Sequence, residues 1–282
     1  MTTANRRGSD MEDFAVEPFG VFQAITPTGA KVTLESFTSD ALNLLLRTKG
    51  TRLKHGEDPA TWSDERRAEH LAYMRDTIKS SWEFVDYVFK IEGVSRAFTH
   101  QLVRTRTGSY AQEAMRVIDA RNAPVLSPSL HSEKAQDMWQ RGVEAAMEAY
   151  AGLVDLGEAP QDARAILPTN VTTSIMAKFN LRTLSDMAKL RLCTRTQGEY
   201  QEAFRAMRQL VIEVHPWAAE FIDVYCASHG TCAFPAYGKK ECPLYKHVIP
   251  HEQLLAIRET IRAAADVERY EAAPIAVAGR AM

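Results

Sequence analysis

Residues 91–117 read IEGVSRAFTHQLVRTRTGSYAQEAMRV, and the chain is organised around them. The run that leads in, Val85-Asp-Tyr-Val-Phe-Lys-Ile91, alternates apolar and polar side chains, the period of a half-buried strand. Ser95 to Val103 then reads as a helix that gives way to the polar segment RTRTGSY. Arg104 and Arg106 stand at the end of that predicted helix, just before Gly108, and Arg116 follows. A guanidinium presents a planar fork of donors that matches a phosphate, so the segment suits a phosphorylated ligand. The other reading is a solvated face with ordinary salt bridges.

A second stretch shifts the balance toward a ligand. Arg164 precedes Ile-Leu-Pro, Asn180-Leu-Arg182 follows, and residues 191–199 read RLCTRTQGE. Arg182, Arg191 and Arg195 are interleaved with Leu181, Leu184, Met187 and Leu190 at helical spacing. Burying even part of an arginine requires acceptors. Acids are few here, Asp186 and Glu199, so an anionic ligand is a natural partner.

Toward the N-terminus, GVFQAIT (20–26) and AKVTLESF (30–37) flank Pro27-Thr28-Gly29 and read as a hairpin. Ser39 or Asp40 is placed to cap a short helix through Asn43 and Leu46 that Gly50 stops. Residues 50–66 read as a charged loop and EHLAYMRDTIKSS (69–81) as a helix. Beyond the central segment, residues 121–133 form a loop with two prolines, and Ser132 caps a long helix. Its apolar positions Met138, Trp139, Val143, Met147, Tyr150 and Val154 recur three and four apart until Gly157 and Pro160 end it. NVTTSIMAKF (170–179) is compatible with strand or helix. The stripe Leu181, Leu184, Met187, Leu190 continues through Tyr200, Phe204, Met207 and Val211 as helix to His215-Pro216. Trp82 and Trp139 read as core, and ETIRAAADVERYEAA (259–273) as helical.

Composition narrows the function classes. The chain has 282 residues with 34 lysines and arginines against 36 aspartates and glutamates, a net charge of −2. A near-neutral balance argues against a dedicated nucleic-acid binder, and 45% hydrophobic residues argue against wholesale disorder. No apolar run approaches the roughly 18–20 residues of a membrane span. The polar residues 1–16, beginning MTTANRRGSDMED, read as a flexible N-terminus without the apolar stretch of a secretory signal. Four cysteines in this length do not make a disulfide framework, so a cytoplasmic, reduced protein is expected. No glycine-rich dinucleotide fingerprint, phosphate-binding loop, HExxH or GxSxG motif is present.

The two arginine-bearing segments carry a resemblance. Residues 91–117 resemble the central segment of the flavin-dependent thymidylate synthase family, where a similar SRAxTHQLVRHR run leads into an RHR motif closed by serine after seven residues. Residues 166–202, ILPTNVTTSIMAKFNLRTLSDMAKLRLCTRTQGEYQE, resemble that family's second segment. Similarity spans roughly residues 77–217, with the segments in the family's order. The resemblance implies an α/β (α+β) fold with a mixed sheet and packed helices, assembled as a homotetramer. It implies a catalytic domain over residues 17–220 and leaves 221–282 as a cysteine-containing C-terminal extension. It further implies active sites between subunits, holding FAD and dUMP, with NADPH and methylenetetrahydrofolate as co-substrates.

Carried over by position, Gln101, Leu102, Val103 and Arg104 match residues that contact dUMP from a neighbouring subunit. Gln112, Glu113, Ala114, Met115 and Arg116 match the loop that wraps the nucleotide, and Arg164 a phosphate-contacting arginine. Arg191 matches the arginine at the pyrimidine ring, where a permanent positive charge favours ionisation of N3 and makes C5 nucleophilic. Ser80, Arg104, Thr105, Arg106, Gln112, Asn180, Arg182, Asp186 and Arg195 match the FAD side. This sequence departs from the family at several of these places. Thr105 replaces the central histidine of the RHR motif and Ala114 the closing serine. Ile78 and Arg195 stand at two further histidine positions and Asp186 at an asparagine. The nucleotide arginines are kept while flavin-side histidines are lost.

Other candidates read as structural. Cys193 reads as a structural thiol rather than a nucleophile, since the flavin family needs none. Cys226, His229, Cys232 and Cys242 have zinc-ligand types, but no paired C-x2-C is present, so they read as free thiols and no metal site is assigned. His100 reads as a packing or helix-end residue. The expected activity is one-carbon transfer from methylenetetrahydrofolate to C5 of a deoxypyrimidine monophosphate, dUMP to dTMP as the parent reaction. The rivals are hydroxymethylation of dUMP or dCMP for modified phage DNA, and a non-catalytic nucleotide-binding homologue.

Overall fold

A computed structural model describes residues 22–53, 56–77, 79–234, 242–244, 248 and 253. Five strands form one sheet: β1 (Phe22–Ile25), β2 (Lys31–Phe37), β3 (Asp86–Ser95), β4 (Ser109–Gln112) and β5 (Thr172–Asn180), in the order β1-β2-β3-β5-β4. Every pairing is antiparallel, so the mixed sheet expected from the resemblance is corrected to an antiparallel one. The hairpin β1–β2 turns at Gly29, whose φ of 88° lies where a side chain is strained. The ambiguous run 170–179 is strand β5, because Ile175, Ala177 and Phe179 alternate inward and pair along β3.

The helices are α1 (Ala41–Leu53), α2 (Asp64–Asp76), α3 (Arg96–Leu102), α4 (Glu133–Asp155), α5 (Pro160–Ala163), α6 (Leu181–Arg191), α7 (Gly198–Val214) and α8 (Tyr225–His229). The inward residues Tyr87, Phe89 and Ile91 of β3 join Leu181 and Leu184 of α6 and Tyr200, Phe204 and Met207 of α7 in one core. Gly50 does not stop α1. It keeps a helical backbone while Leu45, Leu46 and Lys49 bury the inner face, and the helix runs on to Leu53. The span 50–66 is likewise not one loop: Asp58 caps a 3₁₀ turn at Pro59–Thr61, and Ser63 caps α2 at Asp64. The predicted helix 69–81 accordingly starts earlier and ends at Asp76, and a 3₁₀ segment follows over Lys79–Phe84.

The apolar stripe from Leu181 to Val211 is broken. Residues 192–197 turn between α6 and α7, and Gln201 Nε2 donates to the carbonyls of Leu192 (3.2 Å) and Cys193 (2.7 Å), satisfying the free end of α6. Ser132 caps α4 as expected, its Oγ accepting from the Ala135 amide. Only Tyr150 of the α4 stripe is buried, against Ala120 and Ala163, and Trp139 is half-buried rather than core. Trp82 is core, at 1% exposure. Pro160 ends nothing beyond α4 and instead opens α5. The expectations for residues 1–16, Ile78 and 259–273 lie outside the described residues. Among the described residues no helix is long and apolar enough to cross a membrane.

His215 closes α7 buried among aromatic rings, its Nδ1 3.0 Å from the Tyr87 hydroxyl. Burial holds its imidazole below the usual 6.5. The unfolded chain therefore takes up this proton at higher pH than the folded one, so stability is fully present above pH 6.5 and is lost as pH falls through that value. In His215→Gln, which has nothing to protonate, the drop in Tm between about pH 7.5 and about 5.5 should be shallower than in the parent. Thermal melts of both proteins across that range check this, and parallel curves would assign the pH dependence to other groups.

Candidate active site

The two motif segments meet at one carboxylate. Glu199, in the first turn of α7, accepts from the Ser95 amide and the Ser95 hydroxyl, each at 2.6 Å. Ser95 Oγ in turn accepts from the Phe98 amide at 3.0 Å and caps α3. Gln101 donates to Gln197 across the same joint. The Phe98 ring stands edge-on to Tyr200, centroids 5.0 Å apart. Above Tyr200 lies the guanidinium of Arg191, 4.2 Å from the ring centroid. Such stacking holds a guanidinium plane by its attraction to the negative ring face. The Tyr200 hydroxyl is buried without a hydrogen bond of good geometry, close to Thr105 and Arg191. Burial raises its proton affinity, and those two neighbours oppose the rise.

The RTRTG turn is fixed from below. Tyr110 Oη donates toward the carbonyls of Leu102 (3.0 Å) and Thr105 (2.7 Å), and burial first of all pushes this hydroxyl up to about 12. A Cβ on Gly108 would lie 2.5 Å from both the Phe179 ring and the Tyr110 hydroxyl, so only glycine lets the turn close here. The turn thereby leaves Arg104 and Arg106 exposed and directs Thr105 toward Tyr200. Leu102 has its side chain fully buried in the core, and its carbonyl accepts from Tyr110. Val103 is exposed.

A second group forms around Glu113. Its carboxylate accepts from Thr173 Oγ1 (3.2 Å) and the Ser174 amide (3.0 Å), tying the nucleotide-loop candidate to β5. Its carbonyl accepts from Arg96 Nη2 at 3.0 Å. Arg96 was not among the candidates from sequence, although it directly follows the cap Ser95. Its Nε is buried without a partner, and Arg164 is close enough that its charge disfavours that of Arg96, after burial itself. Two guanidinium groups thus share a neighbourhood with one carboxylate already committed to β5. Arg164 is exposed and donates to the Gln161 carbonyl at 3.0 Å. Gln112 donates to Thr99 Oγ1 at 2.8 Å, Met115 packs on the small Tyr150 cluster, and Ala114 and Arg116 are exposed. Beside this loop a cavity of about 290 Å³ is lined by Glu113, Met115, Asp119, Asn122 and Thr173 among others.

The third group runs along the seam between the Lys79–Phe84 turn and α6. Ser80 is exposed there, Arg182 pairs with Glu83, and Asp186 pairs with Lys189 at 2.6 Å. Asn180 caps α6 through the Thr183 amide at 2.9 Å. Arg195 lies apart, in the α6–α7 connection beside Phe234. Arg182, Arg191 and Arg195 are therefore not buried together as the helical stripe suggested; only Arg191 is half-buried. In one chain the candidates fall into three groups, and the exposed guanidinium groups, the orphaned Arg96 Nε and the seam of hydroxyl and amide donors form a donor set that fits anionic ligands with phosphate groups.

Comparison with known proteins agrees with this chemistry. The Thy1 family, described as thymidylate synthase complementing protein, matches residues 31–217. The chain is 34% identical over 208 residues to the flavin-dependent thymidylate synthase of Sulfurisphaera tokodaii, covering 70% of this chain and 79% of that protein. It is 33% identical over 223 residues to the flavin-dependent thymidylate synthase of Pyrococcus furiosus, covering 72% and 88%. The protein of the same name from Geobacter sulfurreducens is 37% identical over a shorter stretch of 142 residues, covering 49% and 61%. With its two arginine segments joined at Glu199 and most of its length matched, the chain belongs to the flavin-dependent thymidylate synthase (Thy1) family.

Proposed function

We propose that the protein transfers a one-carbon unit from methylenetetrahydrofolate to C5 of dUMP, using FAD that NADPH reduces. The observation that carries this reading is Arg191, its guanidinium 4.2 Å from the Tyr200 ring centroid at the joint between the two motif segments. A guanidinium fixed in plane accepts no proton and moves little, so it stabilises negative charge as that charge develops on a pyrimidine. Arg164 and Arg96 supply the phosphate contacts, where a dianion would relieve their mutual repulsion and satisfy the buried Arg96 Nε. Gln101, Val103 and Arg104, with the loop Gln112–Arg116, enclose the nucleotide. FAD is held by Ser80, Asn180, Arg182 and Asp186 on the seam, with Arg104, Thr105, Arg106, Gln112 and Arg195; when bound, it supplies the hydride. The chain's own work is to orient the base, set its charge and exclude water.

A second reading, hydroxymethylation, rests on Thr105 and the unpartnered Tyr200 hydroxyl. These two small polar groups meet beside Arg191 and would hold a water at the reacting carbon. Mass spectrometry of the product from dUMP and from dCMP, with methylenetetrahydrofolate and with or without NADPH, separates the readings. A methylated, NADPH-dependent product supports the first, a hydroxymethylated one the second, and no turnover of either nucleotide rejects both.

The proposed assembly is a homotetramer with sites shared between chains. On the α4 stripe Met138 is 61% exposed, and beside the nucleotide loop Val117 is 79% exposed. Apolar surface of this kind calls for a covering partner. Sedimentation should show a tetramer, and Met138→Lys should shift it toward smaller species; a parent protein that sediments as a monomer while binding dUMP would overturn the shared site.

Arg164→Ala should weaken dUMP binding by about 1.5–3 kcal/mol, as expected for a hydrogen bond to a charged group, and barely affect deoxyuridine. Equal losses for both ligands in calorimetric titrations would remove it from the phosphate. Arg191→Lys should lower kcat on the order of 10²-fold and leave dUMP affinity largely intact, since a point charge replaces a planar fork. Steady-state kinetics, dUMP titration and melting temperature on one preparation distinguish this from a packing role. An unchanged kcat with a lowered Tm would leave Arg191 only its stacking on Tyr200.

A further inference from the structure

Among the described residues one lysine, Lys49 of α1, is buried, at 7% exposure, and no arginine, aspartate or glutamate is. The ion pairs of α1 and α2 are made by Arg47, Arg66, Arg67 and Arg75, and none of them includes Lys49. Its Nζ lies 3.0 Å from His70 Nδ1 and 4.1 Å from the centroid of the Tyr73 ring. Burial, first of all, lowers the proton affinity of this amine; Glu69 is near enough to oppose the fall, and Arg52 adds to it. A charge taken out of water calls for acceptors or a counter-ion. A second group beside it is also unmet. Trp62 is 8% exposed, and its indole Nε1 is buried with no acceptor.

Lys49 and Trp62 line one cavity of about 380 Å³, together with Arg66 and His70 of α2. Gly50, which follows Lys49 on α1, brings no side chain to its wall. The volume falls toward the lower end of the roughly 300–1,000 Å³ usual for small-molecule sites. None of the nucleotide or FAD candidates lines it. The Trp62 ring is already engaged, with the His70 ring 4.4 Å and the Arg66 guanidinium 4.3 Å from its centroid, so the cavity offers donors and positive charge rather than a stacking platform. Arg66 pairs with Glu57 at 2.5 Å, and both side chains are exposed. An exposed pair of this kind exchanges readily for another partner.

We propose that the cavity between α1 and α2 binds a small organic oxyanion, a phosphate ester or a carboxylate, which pairs with the Lys49 ammonium and accepts from the Trp62 indole N–H. Oxygen lone pairs supply what both groups lack, and an ionised acceptor forms the stronger kind of hydrogen bond with each. Arg66 adds a third donor when it turns from Glu57 to the ligand. Lys49 is a compact point charge, so it fixes the sign of the ligand more than its shape. The bound anion keeps Lys49 protonated in spite of its burial. The site is separate from the proposed nucleotide and flavin groups and does not rest on the activity assigned to them.

The test is fluorine NMR of the full chain labelled with fluorotryptophan, titrated separately with glycerol phosphate and with succinate. The chain has four tryptophans, and the Trp62 signal is the one missing from Trp62→Phe. That signal should move along a saturating curve with at least one of the two probes, and the same probe should raise Tm. A response to glycerol phosphate alone assigns a phosphate ligand, and one to succinate alone a carboxylate. Lys49→Met should weaken binding about tenfold or more, the loss of one hydrogen bond to a charged group. Without any anion it should melt no lower than the parent, since no charge is left buried. Arg164→Ala, at the proposed nucleotide phosphate, should leave the Trp62 titration unchanged. Should Lys49→Met misfold, the Trp62 signal of the parent and of Arg164→Ala still decides. A Trp62 signal that neither probe moves would overturn the proposal. So would a full response kept by Lys49→Met, or one that disappears in Arg164→Ala, which would belong to the nucleotide site.

Discussion

The site depends on a single carboxylate bridging two helix starts. Glu199 belongs to α7 yet satisfies the amide and hydroxyl of Ser95, the residue that begins α3. Removing it would leave the amide and hydroxyl hydrogens of buried Ser95 without their acceptor, a cost well above that of an exposed hydrogen bond. Because Ser95 begins α3 and Tyr200 follows Glu199, the same contact brings Tyr200 against Phe98 of α3, with Arg191 over the Tyr200 ring. Glu199 is thus spent on architecture and does not neutralise Arg191, whose company is an aromatic face. An arginine without a carboxylate partner keeps its full charge for whatever lies above it.

Charge is distributed differently in the other two groups. On the seam, each arginine or lysine near α6 has an acid within reach, as Arg182 has Glu83 and Lys189 has Asp186. Around Glu113, the one acid is hydrogen-bonded to β5 yet still favours the charge of Arg96, while burial and, after Glu113, the nearby Arg164 disfavour it. Exposed, paired charges contribute about 0–1 kcal/mol and are easily exchanged for other partners. The half-buried Arg96, with a nitrogen that bonds to nothing, is the more demanding group, and it marks the place where an acceptor matters most.

Much of this was legible in the sequence. The hairpin at Gly29, the Ser132 cap, strand β3 and helix α3 followed from local pattern, since each has its stop or start residue beside it. The family was legible from two runs of motif residues. The failures have specific causes. Gly50 looked like a terminus because glycine often is one, but burial of Leu45, Leu46 and Lys49 kept the helix going. The stripe from Leu181 to Val211 hid a break because both helices bury the same face, and the Gln201 side chain that caps α6 gives no local signal. Trp139 looked like core because an apolar stripe does not say how deeply each of its members is buried. The surroundings of Arg96 and the packing of Cys193 on the core that holds Cys226 depend on tertiary neighbours, which no spacing rule contains.

The chain order also constrains how the molecule is made. The central pair of the sheet joins β3 to β5, and everything between them, including all of α4, is a long excursion. Ser95 and Glu199 are 104 residues apart. Contacts of such separation form slowly, because chain entropy is lost before the contact rewards it. The β1–β2 hairpin and the individual helices are local, whereas the arginine joint requires β5 to be docked on β3. Binding competence is consequently a long-range property of this chain, and either motif segment alone carries the residues without the site.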